Sequence, residues 1–205
     1  MAASRKSSRT RKESPDGNEL LVLELQEIHS AESQLSRVLP KLMKSVESEE
    51  LRKCLEQRLS QGERLIGEIE SALEEMDESP GRKKNVAAEG LINDAREHVQ
   101  EIEPGPALDA VMIAAIQKTE HYCIAAWGTA RSLASSAGEE EVVECMERAI
   151  QEGKQMDQDL TRLAEETINP QVFAESEEEG EEAESEPAMA GRAGKNGRHE
   201  SRTPR

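Results

Sequence analysis

The sequence predicts an all-α protein, an up-down four-helix bundle with a crossover helix between its second and third long helices. Aromatic residues make up only 1% of the chain, whereas Glu, Leu, Ala, Lys and Arg are abundant. This composition favours helices, because strands are enriched in aromatic and β-branched residues. Apolar residues recur at steps of three and four, and capping residues or Pro and Gly separate the periodic segments.

The periodic pattern divides the chain into three parts. Residues 1–16 are basic and Ser-rich and predict a disordered arm. Residues 17–172 carry the helical pattern and predict the bundle. Residues 173–205 form a low-complexity tail, first acidic and then basic, for which we expect disorder.

The first two predicted helices form an antiparallel hairpin. Asp16 or Asn18 can cap the first helix, Pro40 should bend it, and Ser48 can cap the second. Ser79-Pro80-Gly81 is expected to stop the second helix. The apolar stripe of the first helix is Leu21, Leu25, Ile28, Leu35, Leu39, Leu42 and Val46. That of the second is Leu51, Leu55, Leu59, Ile66, Ile69, Leu73 and Met76.

The remaining segments predict a crossover helix over residues 86–102 and two more long helices. Pro106 favours the start of the third helix and Gly138 its end, and Asn169-Pro170 should end the fourth. The stripe of the third helix is Met112, Ile116, Cys123, Trp127, Ala130 and Ala134. The stripe of the fourth is Val142, Cys145, Ala149, Met156, Leu160 and Leu163.

The net charge of −17 argues against nucleic acid and anionic membranes as partners, although the basic arm leaves DNA as a possible exception. Three scattered cysteines do not form a disulfide framework or a zinc motif. We find no secretory signal and no apolar run of about 18 residues, so we expect a cytoplasmic protein. Leftover apolar surface on such hairpins predicts a homodimer.

Four glutamates interrupt the apolar stripes, one near the middle of each long helix: Glu32, Glu63, Glu120 and Glu152. A buried ionised carboxylate must be protonated, paired or bound to a cation. Two divalent metal ions would neutralise four such groups, and oxygen ligands suit iron and manganese. The alternative is that these glutamates lie at the edge of the core and reach water. For Glu63, the neighbouring Gly62 competes for the inward position.

Two histidines accompany these acids. His29 lies three residues before Glu32, on the same helix face, and could be a ligand. His121 adjoins Glu120 but points about 100° away, which suggests a supporting role beside the metal site.

Three stretches of the chain resemble the YciE/YciF family of ferritin-like bacterial proteins. They are HSAESQL (29–35), AAEGLI (87–92) and, most specifically, AAIQKTEHYCIAAWGT (114–129). The resemblance covers about residues 17–172 and implies a ferritin-like bundle, a link to bacterial stress responses and a dinuclear metal site of ferroxidase type. It assigns the metal-binding acids to Glu32, Glu89, Glu120 and Glu152, with Asp157 also matching and His121 adjoining.

The chain departs from that family pattern where histidine or acid is expected. Ser60 and Glu63 stand in place of a Glu-x-x-His pair, Cys123 replaces an acid, and Gln155 stands where a di-iron bundle would have His. Two hypotheses therefore follow. The first is an iron-handling or ferroxidase-type oxidoreductase with two iron or manganese ions, and the second is a non-enzymatic helical stress or scaffold protein with a degenerate site.

Overall fold

The computed structural model describes residues 14–174, in which the chain forms five α-helices and one π-helical turn. The helices are α1 (Gly17–Leu42), α2 (Glu49–Glu75), α3 (Val86–Glu101), α4 (Pro106–Ala137) and α5 (Glu140–Leu163). The π-helical turn spans Ala164–Ile168. The predicted fold class is confirmed. Most of both predicted tails lies outside the described residues.

The long helices pack as two hairpins, α1 with α2 and α4 with α5. Across the bundle α1 packs on α4 and α2 packs on α5, while α3 lies against α1 and α4 as the crossover helix. The core has two clusters of buried apolar side chains, one on either side of the middle of the bundle. No helix of the described chain is both long and apolar enough to span a membrane.

Most predicted helix ends are confirmed, because their signals are local. Asp16 caps α1 in a capping box with Glu19, and Ser48 caps α2 through the backbone N–H of Leu51. Gly138 ends α4 with φ 83°, a left-handed conformation that glycine adopts without steric cost.

Two predicted ends are wrong. The second helix ends at Glu75, before Ser79-Pro80-Gly81, and Asp77 adopts a positive φ of 58° just after it. At the other end of the chain, Pro170 does not stop the fourth helix. The backbone N–H of Asn169 bonds to the Ala164 carbonyl in a π-helical turn, and helical backbone continues to residue 174.

The buried stripes of α1 and α4 are confirmed, but those of α2 and α5 are shifted in the middle. In α2, Arg58, Gly62 and Leu65 are buried, where the sequence pattern had suggested Leu59 and Ile66. In α5, Gly153 is buried instead of Glu152. These shifts decide which side chains reach the middle of the bundle.

Candidate core site

An arginine lies in the middle of the bundle, between the two glutamates that the sequence placed in the core. Arg58 on α2 is 1% exposed, and Glu32 on α1 and Glu120 on α4 are both 0% exposed. These three side chains, called here the core triad, come from three different helices.

The guanidinium of Arg58 binds both carboxylates. Its Nη1 and Nη2 each donate a 3.0 Å hydrogen bond to Glu32, to Oε2 and Oε1 respectively, in a bidentate pair. Its Nε donates to Oε1 of Glu120. Nη2 also lies 3.8 Å from Sγ of Cys123, the residue that stands where the family resemblance had implied a further acid.

Tryptophan and two glycines enclose the core triad. The Arg58 guanidinium carbon lies 5.6 Å from the centre of the buried Trp127 ring, close enough for a cation–π interaction. A Cβ added to Gly62 would lie 3.0 Å from Arg58 Nη1 and 3.0 Å from Glu32 Oε2. A Cβ added to Gly153 would lie 2.7 Å from the Trp127 ring and 3.3 Å from Glu120 Oε2. Glycine at both positions therefore leaves the room that the triad and the indole occupy.

The charges of the core triad are not balanced. One guanidinium faces two carboxylates, and Oε2 of Glu120 is buried with no hydrogen-bond partner among residues 14–174. Burial raises the pKa of Glu120, although Arg58 acts to lower it. Burial also disfavours the charged form of Arg58, but Glu32 and Glu120 outweigh it and hold the Arg58 pKa well above its usual range. Arg58 thus stays charged, and burial makes Glu120 easier to protonate than a carboxyl group in water.

The raised pKa of Glu120 predicts a pH-dependent stability. Because the folded chain binds this proton more tightly than the unfolded chain, Glu120 stabilises the fold most at low pH. That contribution is lost as the pH rises above 4.5, the ordinary value of the group, through the folded-state pKa. The charged groups that act on Glu120 are Arg58 on α2, Glu32 on α1 and Asp157 on α5.

We expect Glu120→Gln to remove this dependence. Denaturant unfolding at a series of pH values should show wild type losing stability relative to Glu120→Gln as the pH rises above 4.5. Glu63→Gln, which alters an exposed glutamate of α2, should keep the wild-type profile. A difference between wild type and Glu120→Gln that stays constant with pH would contradict the assignment of the proton to Glu120.

The structure brings together only two of the sequence-predicted ligands, Glu32 and Glu120. The other five lie elsewhere with other surroundings. Glu63 is exposed, Glu152 pairs with Arg64, and Glu89 pairs with Lys84. His29 Nε2 lies 2.8 Å from Glu70, and His121 Nε2 lies 3.2 Å from Asp157, the further acid that the resemblance had matched.

The residues present do not fit a two-metal centre in this arrangement. Within residues 14–174, no group of three or more His, Cys, Asp or Glu side chains is placed to hold a metal ion. The place between the two core carboxylates holds the Arg58 guanidinium, which bonds to three of their four oxygens. Cys123 adds no anionic ligand, because burial raises the pKa of its thiol well above the usual range.

Comparison with known proteins places the chain in a family. Residues 16–173 match the family described as a domain of unknown function, DUF892. The chain belongs to the DUF892 family. It is 36% identical over 146 residues to the protein YciF of Escherichia coli K12, a match that covers 71% of this chain and 88% of YciF. The predicted resemblance to the YciE/YciF family is confirmed.

Solved structures of other bacterial proteins share the fold of this chain. The crystal structure of the E. coli stress protein YciF aligns with a TM-score of 0.72 and 34% identity, covering 76% of this chain and 99% of that one. YcfI of Rhodopseudomonas palustris, a proposed structural protein, aligns with a TM-score of 0.68 and 28% identity, covering 75% and 96%. A Xanthomonas campestris protein aligns with a TM-score of 0.60 and 21% identity, covering 78% of this chain and 98% of that one. At this identity the match shows the fold alone.

Proposed function

We propose that this DUF892 protein is a non-enzymatic structural protein of a stress response, in which Arg58 takes the place of metal ions in the core. The observation that carries the proposal is the fully buried guanidinium bonded to Glu32 and Glu120. In a ferritin-like di-metal bundle, carboxylates at these depths hold metal ions that need open coordination positions for oxygen chemistry. Here the Arg58 guanidinium bonds to the same carboxylates. Unlike a metal ion, it has no open coordination position at which a reactant could bind.

The names of two relatives support this proposal. The E. coli relative is called a stress protein, and the R. palustris relative is proposed to be structural. Both share more than a quarter of their aligned residues with this chain. A bundle that keeps the family fold without metal chemistry is consistent with both descriptions.

The ferroxidase-type hypothesis, with two iron or manganese ions, remains the alternative, and one observation favours it. Oε2 of Glu120 is a buried carboxylate oxygen without a hydrogen-bond partner in the described part of the chain, so a bound cation would stabilise it. For metal to bind there, however, Arg58 would have to leave its hydrogen bonds with both carboxylates. The side chains that would complete the ligand set, such as Glu152 on α5, would also have to break their own ion pairs.

We expect the purified full-length protein to contain only background iron and manganese, and ferrous titration in air to give no oxidation above the buffer rate. The measurement is metal content by mass spectrometry together with the absorbance of ferric species. The matched variant is Glu32→Gln combined with Glu120→Gln, which keeps the shapes of both side chains. About two metal ions per wild-type chain, lost in this double variant, would overturn the proposal and establish the di-metal alternative.

A further inference from the structure

A second site lies on the surface of the bundle, where the loop between α2 and α3 crosses α1. It is a groove of about 330 Å³, and we call it the loop groove. Four Arg or Lys side chains line it: Arg37 from α1, and Arg82, Lys83 and Lys84 from the loop. In a chain with 43 acidic and 26 basic residues, the lining of this groove contains no Asp or Glu.

Other surface cavities of the bundle contain acidic side chains. One between α4 and α5 is lined by Glu144 and Glu147 as well as by Arg131 and Arg148. A cavity between α2 and α5 likewise contains Glu68 and Glu141. The loop groove therefore stands out as a cationic concavity on a protein of net charge −17. Such a local excess attracts anions that the rest of the surface repels.

The ion pairs around the groove leave two of its four cations without an acidic partner. Lys83 pairs with Glu27, and Lys84 pairs with Glu89. Arg37 and Arg82 are exposed and have no ion pair within the described residues. Arginine presents a planar fork of N–H donors that matches phosphate oxygens, so two free arginines beside one cavity suit a phosphate group.

Ser30 adds an oriented hydroxyl to the lining. Its Oγ accepts hydrogen bonds from the backbone N–H of Asn85 at 2.9 Å and from Nε2 of Gln34 at 3.5 Å. Because the oxygen accepts both of these bonds, the hydroxyl is left as a donor, and it donates no hydrogen bond within residues 14–174. An anion in the groove would supply that acceptor.

The loop is held in place before any ligand arrives. Gln26 Nε2 donates to the Ser79 carbonyl at 2.7 Å, and Gln34 Nε2 donates to the Asn85 carbonyl at 3.0 Å. The buried Asn85 side chain donates to the Glu27 carbonyl and to the Tyr122 hydroxyl, and it caps α3. These bonds fix the backbone that carries Arg82, so binding an anion would cost little ordering of the loop.

From these features we propose that the loop groove binds a small anion that carries one or more phosphate groups. Arg37 and Arg82 provide the charge-assisted hydrogen bonds, Ser30 provides the neutral donor, and Lys83 and Lys84 add favourable potential at the rim. The volume of about 330 Å³ is large enough for a diphosphate group. This site is independent of the core triad and of the proposed structural role.

The test is calorimetric titration of the full-length protein with inorganic pyrophosphate and, separately, with ADP. We expect saturable binding with one site per chain, weakened by raising the salt from about 50 to about 200 mM. Arg37→Gln combined with Arg82→Gln should weaken it at least about tenfold, because charge-assisted hydrogen bonds are lost. Equal affinity for both ligands would identify the bare diphosphate as the preferred class, and tighter binding of ADP would identify a phosphate ester.

The matched control is Arg96→Gln combined with Arg131→Gln, which removes the same charge from helical surfaces outside the groove. This control should bind pyrophosphate as wild type does. The proposal is overturned if wild type does not bind either ligand at low salt. It is also overturned if the groove variant binds as well as wild type, or if the control loses as much affinity as the groove variant. All four arginines are exposed, so we expect both double variants to fold. Thermal unfolding of each variant verifies this.

Discussion

Replacing Arg58 by methionine should cost about 3–5 kcal/mol of unfolding free energy at neutral pH, because it leaves two buried carboxylates without their cation. Methionine keeps much of the side-chain length and flexibility, so lost packing contributes little to this loss. Glu32 loses a bidentate partner, and Glu120 loses the hydrogen bond that Nε of Arg58 donates to it. Since the total free energy of unfolding of a domain is only about 5–15 kcal/mol, the variant should be close to unfolding. Urea unfolding monitored by circular dichroism measures the effect.

Two further variants separate charge from packing. Arg64→Met removes an arginine six residues later on α2 whose pair with Glu152 is partly exposed, and it should change stability by no more than about 1 kcal/mol. The triple variant Glu32→Leu, Arg58→Met, Glu120→Leu removes every charge of the core triad. It should recover most or all of the lost stability, because replacing a complete buried ion network by apolar groups is often neutral or stabilising. If the single and triple variants are equally unstable, packing rather than charge explains the role of Arg58.

The sequence was sufficient for the fold because its signals are local. Capping residues mark where α1, α2 and α3 begin, and a left-handed glycine marks where α4 ends. The buried faces of α1 and α4 consist mainly of Leu, Ile, Val, Met, Ala, Cys and Trp, interrupted by Glu32 on α1 and by Asp109, Thr119 and Glu120 on α4, so both faces are easy to recognise. The burial of these two glutamates could therefore be predicted from spacing alone.

The registers of α2 and α5 could not be predicted in the same way. Along α2 the buried positions follow regular steps of three and four through Leu55, Arg58, Gly62 and Leu65. If only apolar residues are counted, arginine and glycine are passed over, and Leu59 and Ile66 are predicted to be the buried positions instead. On α5 the same effect favoured Glu152 over Gly153. The sequence did contain a signal for the correct register. The steps of three and four residues along α2 are regular only when Arg58 and Gly62 are counted as buried.

The prediction that metal ions neutralise the buried carboxylates followed from the wrong register of α2. Two buried carboxylates need positive charge, and the spacing of Glu32 and Glu120 does not say whether a metal ion, a proton or an arginine supplies it. Because Arg58 was not among the residues predicted to be buried, metal ions were the cations that suited a ferritin-like bundle. The physical requirement for a cation was correctly predicted, and only the position of Arg58 on its helix shows which side chain meets it.

Gly153→Ala should destabilise the protein by about 1–2 kcal/mol, although alanine is the better helix former. The new Cβ would lie 2.7 Å from a ring carbon of Trp127 and 3.2 Å from Cγ1 of Ile124. The indole is 3% exposed and packs against Arg58, so it cannot move away without disturbing the core triad. The overpacking penalty of about 1–3 kcal/mol therefore exceeds the helix-propensity gain of about 0.5–1 kcal/mol.

Gly67→Ala on α2 is the matched control, because Gly67 is exposed and, within residues 14–174, a Cβ there would lie more than 4 Å from every side chain other than those of its two chain neighbours and from the backbone of the other helices. This change should stabilise the protein by about 0.5–1 kcal/mol, so the two glycine variants should shift the unfolding midpoint in opposite directions. Adding Trp127→Phe to Gly153→Ala should recover part of the loss, because the smaller ring leaves room for the new methyl group. A favourable interaction energy in this double-mutant cycle identifies the indole as the obstacle. If Gly153→Ala is as stabilising as Gly67→Ala, then α5 is not held against Trp127 as closely as the structure places it.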